Sequence, residues 1–263
     1  MKRRQFIAAA GAAAVTPLIS LAGSAAPQAD EPQYLELQQY QLLHGPKRGL
    51  VHDYLEKVAI PAYNRMGIGP VGVFQVMYGA NAPTLYVLLP HPTLESFATA
   101  TQRLLADETH MKDGAAYVNA PLADPAYVRK ESMLLRAFAD MPRVEIPPQK
   151  TQNKFRIFEL RTYESHSEKA AQKKIEMFNE GGEIPIFRRV GLTPVFFGET
   201  LAGPKMPNLT YMLAFDDMAA RDAAWKAFSA DPDWKKLSAD PQYADTVSAI
   251  SDIILQPTRY SQI

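Results

Sequence analysis

Two five-residue stretches hold the densest set of chemically capable side chains in the sequence: Glu36-Leu37-Gln38-Gln39-Tyr40 and Glu159-Leu160-Arg161-Thr162-Tyr163. A carboxylate can hold or move a proton, a guanidinium grips anions in a planar fork, and a phenol donates hydrogen bonds to developing negative charge. Alternate residues of an extended chain share a face. Glu36, Gln38 and Tyr40 therefore lie opposite Leu35 and Leu37, and Glu159, Arg161 and Tyr163 opposite Phe158 and Leu160. Arg136, two residues from both Leu134 and Phe138, adds a second cation on another apolar segment. Of the histidines at 44, 52, 91, 110 and 166, His44 and His166 follow the two stretches at almost equivalent places. Each could act as a general base or as a metal or haem ligand. Turn chemistry at His44-Gly45-Pro46 and a helix start at Ser165-His166-Ser167 are the simpler explanation of both. His52 and His110 suit helix-dipole positions. No His-x-x-x-His or His-x-x-Glu spacing occurs, so no metal site is expected.

Composition narrows the chemistry further. The chain has 263 residues, 47% of them hydrophobic and 21% charged, with zero net charge and no cysteine. Disulfides, thiolate nucleophiles, iron–sulfur clusters and Cys-ligated zinc are excluded, as are disordered and collagen-like classes. Gly67-Ile68-Gly69-Pro70-Val71-Gly72 fits a dinucleotide fingerprint literally, yet a helix precedes it, a strand follows it, and Pro70 removes a backbone donor. No G-x-S-x-G motif supports a serine hydrolase. Asn208-Leu209-Thr210 is a formal glycosylation acceptor that reads as a strand entry. The sequence carries no haem, flavin or nucleotide motif, and its cofactor is left unassigned.

Met1-Lys2-Arg3-Arg4-Gln5-Phe6-Ile7 precedes a stretch without charge up to Asp30, closed by Gly23-Ser24-Ala25-Ala26. A charged start, an apolar middle and small residues before a cleavage point make a signal peptide over residues 1–25, and Arg3-Arg4 followed by Phe6 resembles the twin-arginine type. The expected location is the periplasm or the exterior, reached through that route. An uncleaved anchor is the alternative, but Gly11, Pro17 and Gly23 make the segment a poor membrane span. Losing Lys2, Arg3 and Arg4 takes the 28 basic residues to 25 against 28 acidic ones, so no nucleic-acid partner is expected.

The two stretches belong to a longer repetition. Ile60-Pro61 through Arg65-Met66-Gly67 matches Ile184-Pro185 through Arg189-Val190-Gly191, and Asp124-Pro125-Ala126-Tyr127 matches Asp240-Pro241-Gln242-Tyr243. Three blocks in order mean one unit written twice, over 33–141 and 154–260, with a Pro-rich linker at 142–153. Each unit reads as strand, helix, strand, strand, helix, strand. In the first these are 34–43, a helix ending at Gly67, 71–78, 84–89, a helix capped by Thr93, and 133–138. In the second they are 155–163, a helix over 168–189, 195–201, 209–215, a helix around 219–228, and 250–255. This predicts an α+β protein of tandem ferredoxin-like βαββαβ repeats, each an antiparallel sheet with helices on one face. Packing the two open sheet faces together closes a barrel with the helices outside.

With strand signature E-L-(Q/R)-x-Y, helix ending I-P-x-(F/Y)-x-R-x-G and duplicated layout, the chain resembles a NIPSNAP-domain protein. The resemblance runs from about Tyr34 to Arg259. It implies the dimeric α+β barrel superfamily, whose members include monooxygenases, lactone isomerases and haem peroxidases, and so implies a fold more than a reaction. If the leucine faces meet the helices, Glu36, Tyr40, Arg136, Glu159, Arg161 and Tyr163 point into the barrel as candidate ligand-binding residues, with His44 and His166 at its mouth. A network that only holds the halves in register is the other reading of the same residues. The functional classes carried forward are an exported binder of a small molecule inside or at the mouth of the barrel, a monooxygenase- or isomerase-like enzyme, and a structural protein that forms homo-oligomers.

Overall fold

The computed structural model of the chain describes residues 31–77 and 83–263. The signal peptide expected over residues 1–25 lies outside the described residues, as do residues 78–82. Eight strands, β1 (Tyr34–Gln41), β2 (Gly72–Val76), β3 (Thr84–His91), β4 (Arg129–Ala137), β5 (Ile157–Glu164), β6 (Thr193–Ala202), β7 (Asn208–Phe215) and β8 (Ala249–Pro257), close into one antiparallel barrel. Its order is β1-β3-β2-β8-β5-β7-β6-β4. Each half supplies a ferredoxin-like four-stranded sheet. The sheets join through β2 with β8, where Phe74 faces Pro257, and through β4 with β6, where Arg136 faces Glu199. The fold class expected from the repeat is the one observed.

The helices are α1 (Pro46–Tyr54), α2 (Ile60–Arg65), α3 (Leu94–Ala106), α4 (Glu108–Asp113), α5 (Ala115–Val118), α6 (Pro148–Thr151), α7 (Glu168–Phe178), α8 (Glu183–Arg189), α9 (Met218–Ala230) and α10 (Pro232–Ser238). Among the described residues no helix is long and apolar enough to cross a membrane. The repeated Ile-Pro pair is accommodated differently in the two copies. Proline has no N–H and its ring crowds the carbonyl four residues back. In the first half a π-helical segment, Leu55–Ala59, joins α1 to α2 and takes up the misfit before Pro61. In the second the continuous helix expected over 168–189 is instead broken. Gly182, at φ 83°, starts α8 and leaves Pro185 in its first turn, where the missing donor is harmless.

Thr93 and Asp217 cap α3 and α9 through the backbone N–H of Ser96 and Ala220. The repeat also duplicates a clasp. Asp107 caps α4 and binds Arg65 at 2.6 Å, and Asp231 caps α10 and binds Arg189 at 2.9 Å.

Three apolar clusters organise the molecule. One fills the barrel, with Leu35, Leu37, Phe74, Leu88, Leu135, Phe158, Leu160, Phe196, Met212 and Leu255 drawn from all eight strands. The other two lie between the outer sheet faces and the helices. Tyr40, Val73, Leu85 and Val87 pack on the helices of the first half, and Tyr163, Phe197, Tyr211 and Leu213 on those of the second. At one end of the barrel Ile263 and Val144 pack into the interior cluster.

Candidate functional site

The leucine faces of β1 and β5 point into the barrel, which reverses the orientation expected from the sequence. Glu36, Tyr40, Glu159, Arg161 and Tyr163 lie on the outer sheet faces beneath the helices, and Arg136 is an exposed residue on the outside of the β4–β6 seam. The physical reason is that both faces of these strands are covered. The closed interior is filled by apolar side chains from all eight strands and has no helix to bring polar partners, so it takes the side without charges. The outer face can hold polar groups because helix side chains reach down to satisfy them.

In the second half the buried carboxylate is matched on every side, while among the described residues Nε of Arg161 and of Arg221 is left without a partner. Glu159, fully buried, accepts from Arg161 Nη1 at 2.7 Å, from Arg221, and from the indole Nε1 of Trp225 at 2.7 Å. The Arg161 guanidinium also stacks 4.5 Å from the Trp225 ring, and Tyr211 donates to Tyr163 at 2.8 Å.

The first half has a different set. Glu36 Oε1 accepts from Ser132 at 2.7 Å and Gln38 at 2.8 Å, and its Oε2 lies 3.3 Å from His91 Nε2. The other His91 nitrogen is 3.2 Å from Ser96 Oγ, and Tyr40 donates to Gln38 at 3.1 Å. Burial by itself would raise the Glu36 carboxyl, but the contacts from His91, Ser132 and Gln38 and the charge of Lys130 outweigh it and hold it below the ordinary value. These are dense networks, one ionic and one hydrogen-bonded, and of their residues only Ser132 also borders the pocket described below.

Arg136 pairs with Glu199 at 2.6 Å, and Gln172 donates to the same carboxylate at 2.7 Å. They line an outside groove between the helices of the two halves, also bordered by Tyr34 and Thr93. His44 and His166 are exposed in the turns that follow β1 and β5. Neither lines a pocket of the barrel end. Among the described residues no three His, Asp or Glu side chains converge as metal ligands.

The feature best suited to hold a molecule is a pocket of about 150 Å³ at the barrel end away from Ile263. Strand register builds it in layers. The floor is Leu37 beside Met133 and, from the second half, Leu160 beside Ile253. Above it, Gln39 pairs with Tyr86 and Glu131, while the equivalent Thr162 pairs with Thr210 and Ser251. The lining thus consists of repeat-equivalent pairs whose floor members stayed apolar and whose rim members diverged. The first half presents long polar side chains, and the second presents short hydroxyls that leave the space.

Rim polarity is also uneven in its commitments. Thr162 and Thr210 share a 2.9 Å hydrogen bond, Thr210 reaches Asn208 at 3.3 Å, and Asn208 donates to the carbonyls of Pro204 and Lys205. Asn208, which the sequence marked only as a strand entry, thereby holds the hairpin that carries Lys205 over the mouth. The Lys205 backbone sits at φ 61°, and its ammonium contacts Ser251 Oγ at 3.2 Å and Glu164 at 3.4 Å. On the opposite side, neither the Gln39 amide nor the Tyr86 hydroxyl is engaged by another side chain among the described residues, and Glu131 meets only Arg129 at 3.9 Å. Burial, aided by the Glu131 charge, pushes the Tyr86 phenol up to about 12, so it is a donor at neutral pH.

The residues missed from the sequence are therefore Tyr86, Glu131, Met133, Lys205, Ser251 and Ile253 at the mouth, and His91, Ser96 and Ser132 around Glu36. The available signal was the alternation of each strand. It could not be used without knowing which strands pair and in what register.

Comparison with known proteins supports the architecture. Residues 158–262 match the NIPSNAP family model. No curated protein matches the sequence. Among solved structures, a putative monooxygenase from Lactobacillus acidophilus NCFM superposes with a TM-score of 0.58 at 10% identity, covering 86% of this chain and 94% of its own. A putative monooxygenase from Fusobacterium nucleatum gives 0.55 at 10% identity, covering 86% and 93%. An anthrone oxidase-like protein gives 0.51 at 10% identity, covering 87% and 92%. At such identities the likeness is one of fold.

Proposed function

We propose that this protein is an exported α+β barrel that binds a small, partly apolar molecule at the open end of the barrel. The observation that carries this is the mouth pocket. An apolar floor and a rim with unengaged hydrogen-bonding groups on one side is the usual composition of a small-molecule site. Because the interior is filled by side chains, the ligand sits at the mouth and not inside. The export part rests on Arg3-Arg4-x-Phe6-Ile7 and the uncharged segment behind it.

The test is native mass spectrometry of the protein recovered from the periplasm of an expressing bacterium, alongside a Ser251→Trp variant whose indole would occupy the pocket. A small-molecule mass lost on denaturation and missing from S251W is expected, with Arg3→Lys/Arg4→Lys retaining the protein in the cytoplasm. Bare protein in both samples, or equal ligand in both, overturns the mouth as the binding site.

An enzyme is the second reading. The contacts that join Glu36, His91 and Ser96 favour it as a set of groups able to hold or move a proton, and the fold neighbours named for monooxygenase and oxidase chemistry share the barrel. Recovery of the bound molecule unchanged after aerobic incubation would argue against it.

A further inference from the structure

The divergence of the two copies at the rim also limits which molecule the mouth can take, an inference that rests on the mouth being the binding site. We infer that the mouth takes a neutral, single-ring phenol, with its ring on Leu37, Met133, Leu160 and Ile253 and its hydroxyl between Glu131, Gln39 and Tyr86. Three observations lead there.

The first is size. A cavity of about 150 Å³ with aliphatic walls is enough for one benzene-sized ring, which an engineered apolar cavity of that volume is known to accept. Met133 adds a thioether, which packs favourably against aromatic edges. A fused-ring ligand would have to leave its second ring outside.

The second is charge. The ionisable groups lining the pocket are Glu131, Lys205 and Tyr86, and Tyr86 is neutral, so the lining carries one charge of each sign. Lys205 is partly neutralised by Glu164 and tied to Ser251, which leaves a carboxylate ligand no free cation and exposes it to Glu131. An ammonium ligand would find Glu131 but would sit in a mouth capped by the Lys205 hairpin. A neutral group avoids both penalties.

The third is hydrogen-bonding capacity. Glu131 only accepts, Tyr86 donates, and the Gln39 amide does either. A hydroxyl, which donates once and accepts as well, can engage that set, whereas a ketone or an unsubstituted ring offers Glu131 no donor. The short Thr162, Thr210 and Ser251 side make way for the ring and are already bonded to one another or to Lys205.

The experiment is calorimetric or NMR titration of the signal-free protein with phenol, benzene, benzoate and benzylamine. Phenol should bind about tenfold more tightly than the other three, the span that one net hydrogen bond provides. Glu131→Gln and Tyr86→Phe should each weaken phenol several-fold and leave benzene unchanged, while Ser251→Trp should abolish every signal. If benzoate or benzylamine equals or exceeds phenol, or if phenol and benzene bind alike, the phenol assignment is overturned and the mouth site stands. If none of the four shifts any mouth resonance, the mouth reading itself fails.

Discussion

The Glu159 carboxylate shows how a side chain that looks catalytic in sequence can be structural in the fold. It is fully buried between two guanidiniums and an indole N–H, so its charge is matched on every side. Glu159→Gln would leave Arg161 and Arg221 facing each other with only an amide between them. A loss of about 3–5 kcal/mol is expected, the range for breaking a buried ion pair. Glu36→Gln should cost less, about 1–3 kcal/mol, because an amide oxygen still accepts from Ser132 and Gln38 and the charge interaction lost is the longer-range one with Lys130. Urea unfolding of both variants makes the comparison, and equal losses would contradict it. Both glutamates were visible in the sequence as repeat equivalents. Their different fates were not, because Arg221, Trp225, His91 and Ser132 approach from elements distant along the chain.

At the scale of elements, the repeated Ile-Pro pair shows one sequence feature solved by two structures. The first half keeps a continuous helix by widening one turn at Leu55–Ala59, and the second breaks it at Gly182. A helix with a π turn exposes no extra backbone, whereas the break depends on a residue able to hold φ 83°. Gly182→Ala should therefore destabilise the fold by about 1–2 kcal/mol even though no atom lies within 4 Å of the new methyl group, since the penalty is in the backbone. Thermal unfolding would show it. An unchanged midpoint would mean that α8 can begin without a left-handed residue. The helix boundaries at Gly67 and Thr93 were legible because stop and cap chemistry is local. The break before α8 was hidden inside a run whose spacing suits a single helix.

At the scale of the molecule, the barrel interior is shared. Leu35, Leu37 and Leu88 from one half face Phe158, Leu160 and Met212 from the other, so neither sheet is covered without its partner. Residues 31–141 or 142–263 expressed alone should dimerise or aggregate, and mixing the two should restore a species of full-chain size on size-exclusion chromatography. A well-behaved monomer from either half would show that the sheet face needs no partner. A symmetric dimer of the second half would also lose Gln39, Tyr86 and Glu131, and with them the polar side of the mouth. Duplication within one chain is what allows that side to differ from its equivalent. The sequence by itself determined the repeat, the order of the strands and of the main helices between them, the closure of two sheets into a barrel, and which residues of each strand share a face, because all of these follow from local spacing and from similarity between halves. Only the tertiary structure decided which face is inside. When both faces of a strand are buried, alternation defines two sets of residues without saying which meets the closed interior, and that choice depends on the partners brought by distant helices. The mouth was decided in the same way, since its floor and rim exist only once Leu37 is in register with Met133 and Thr162 with Ser251.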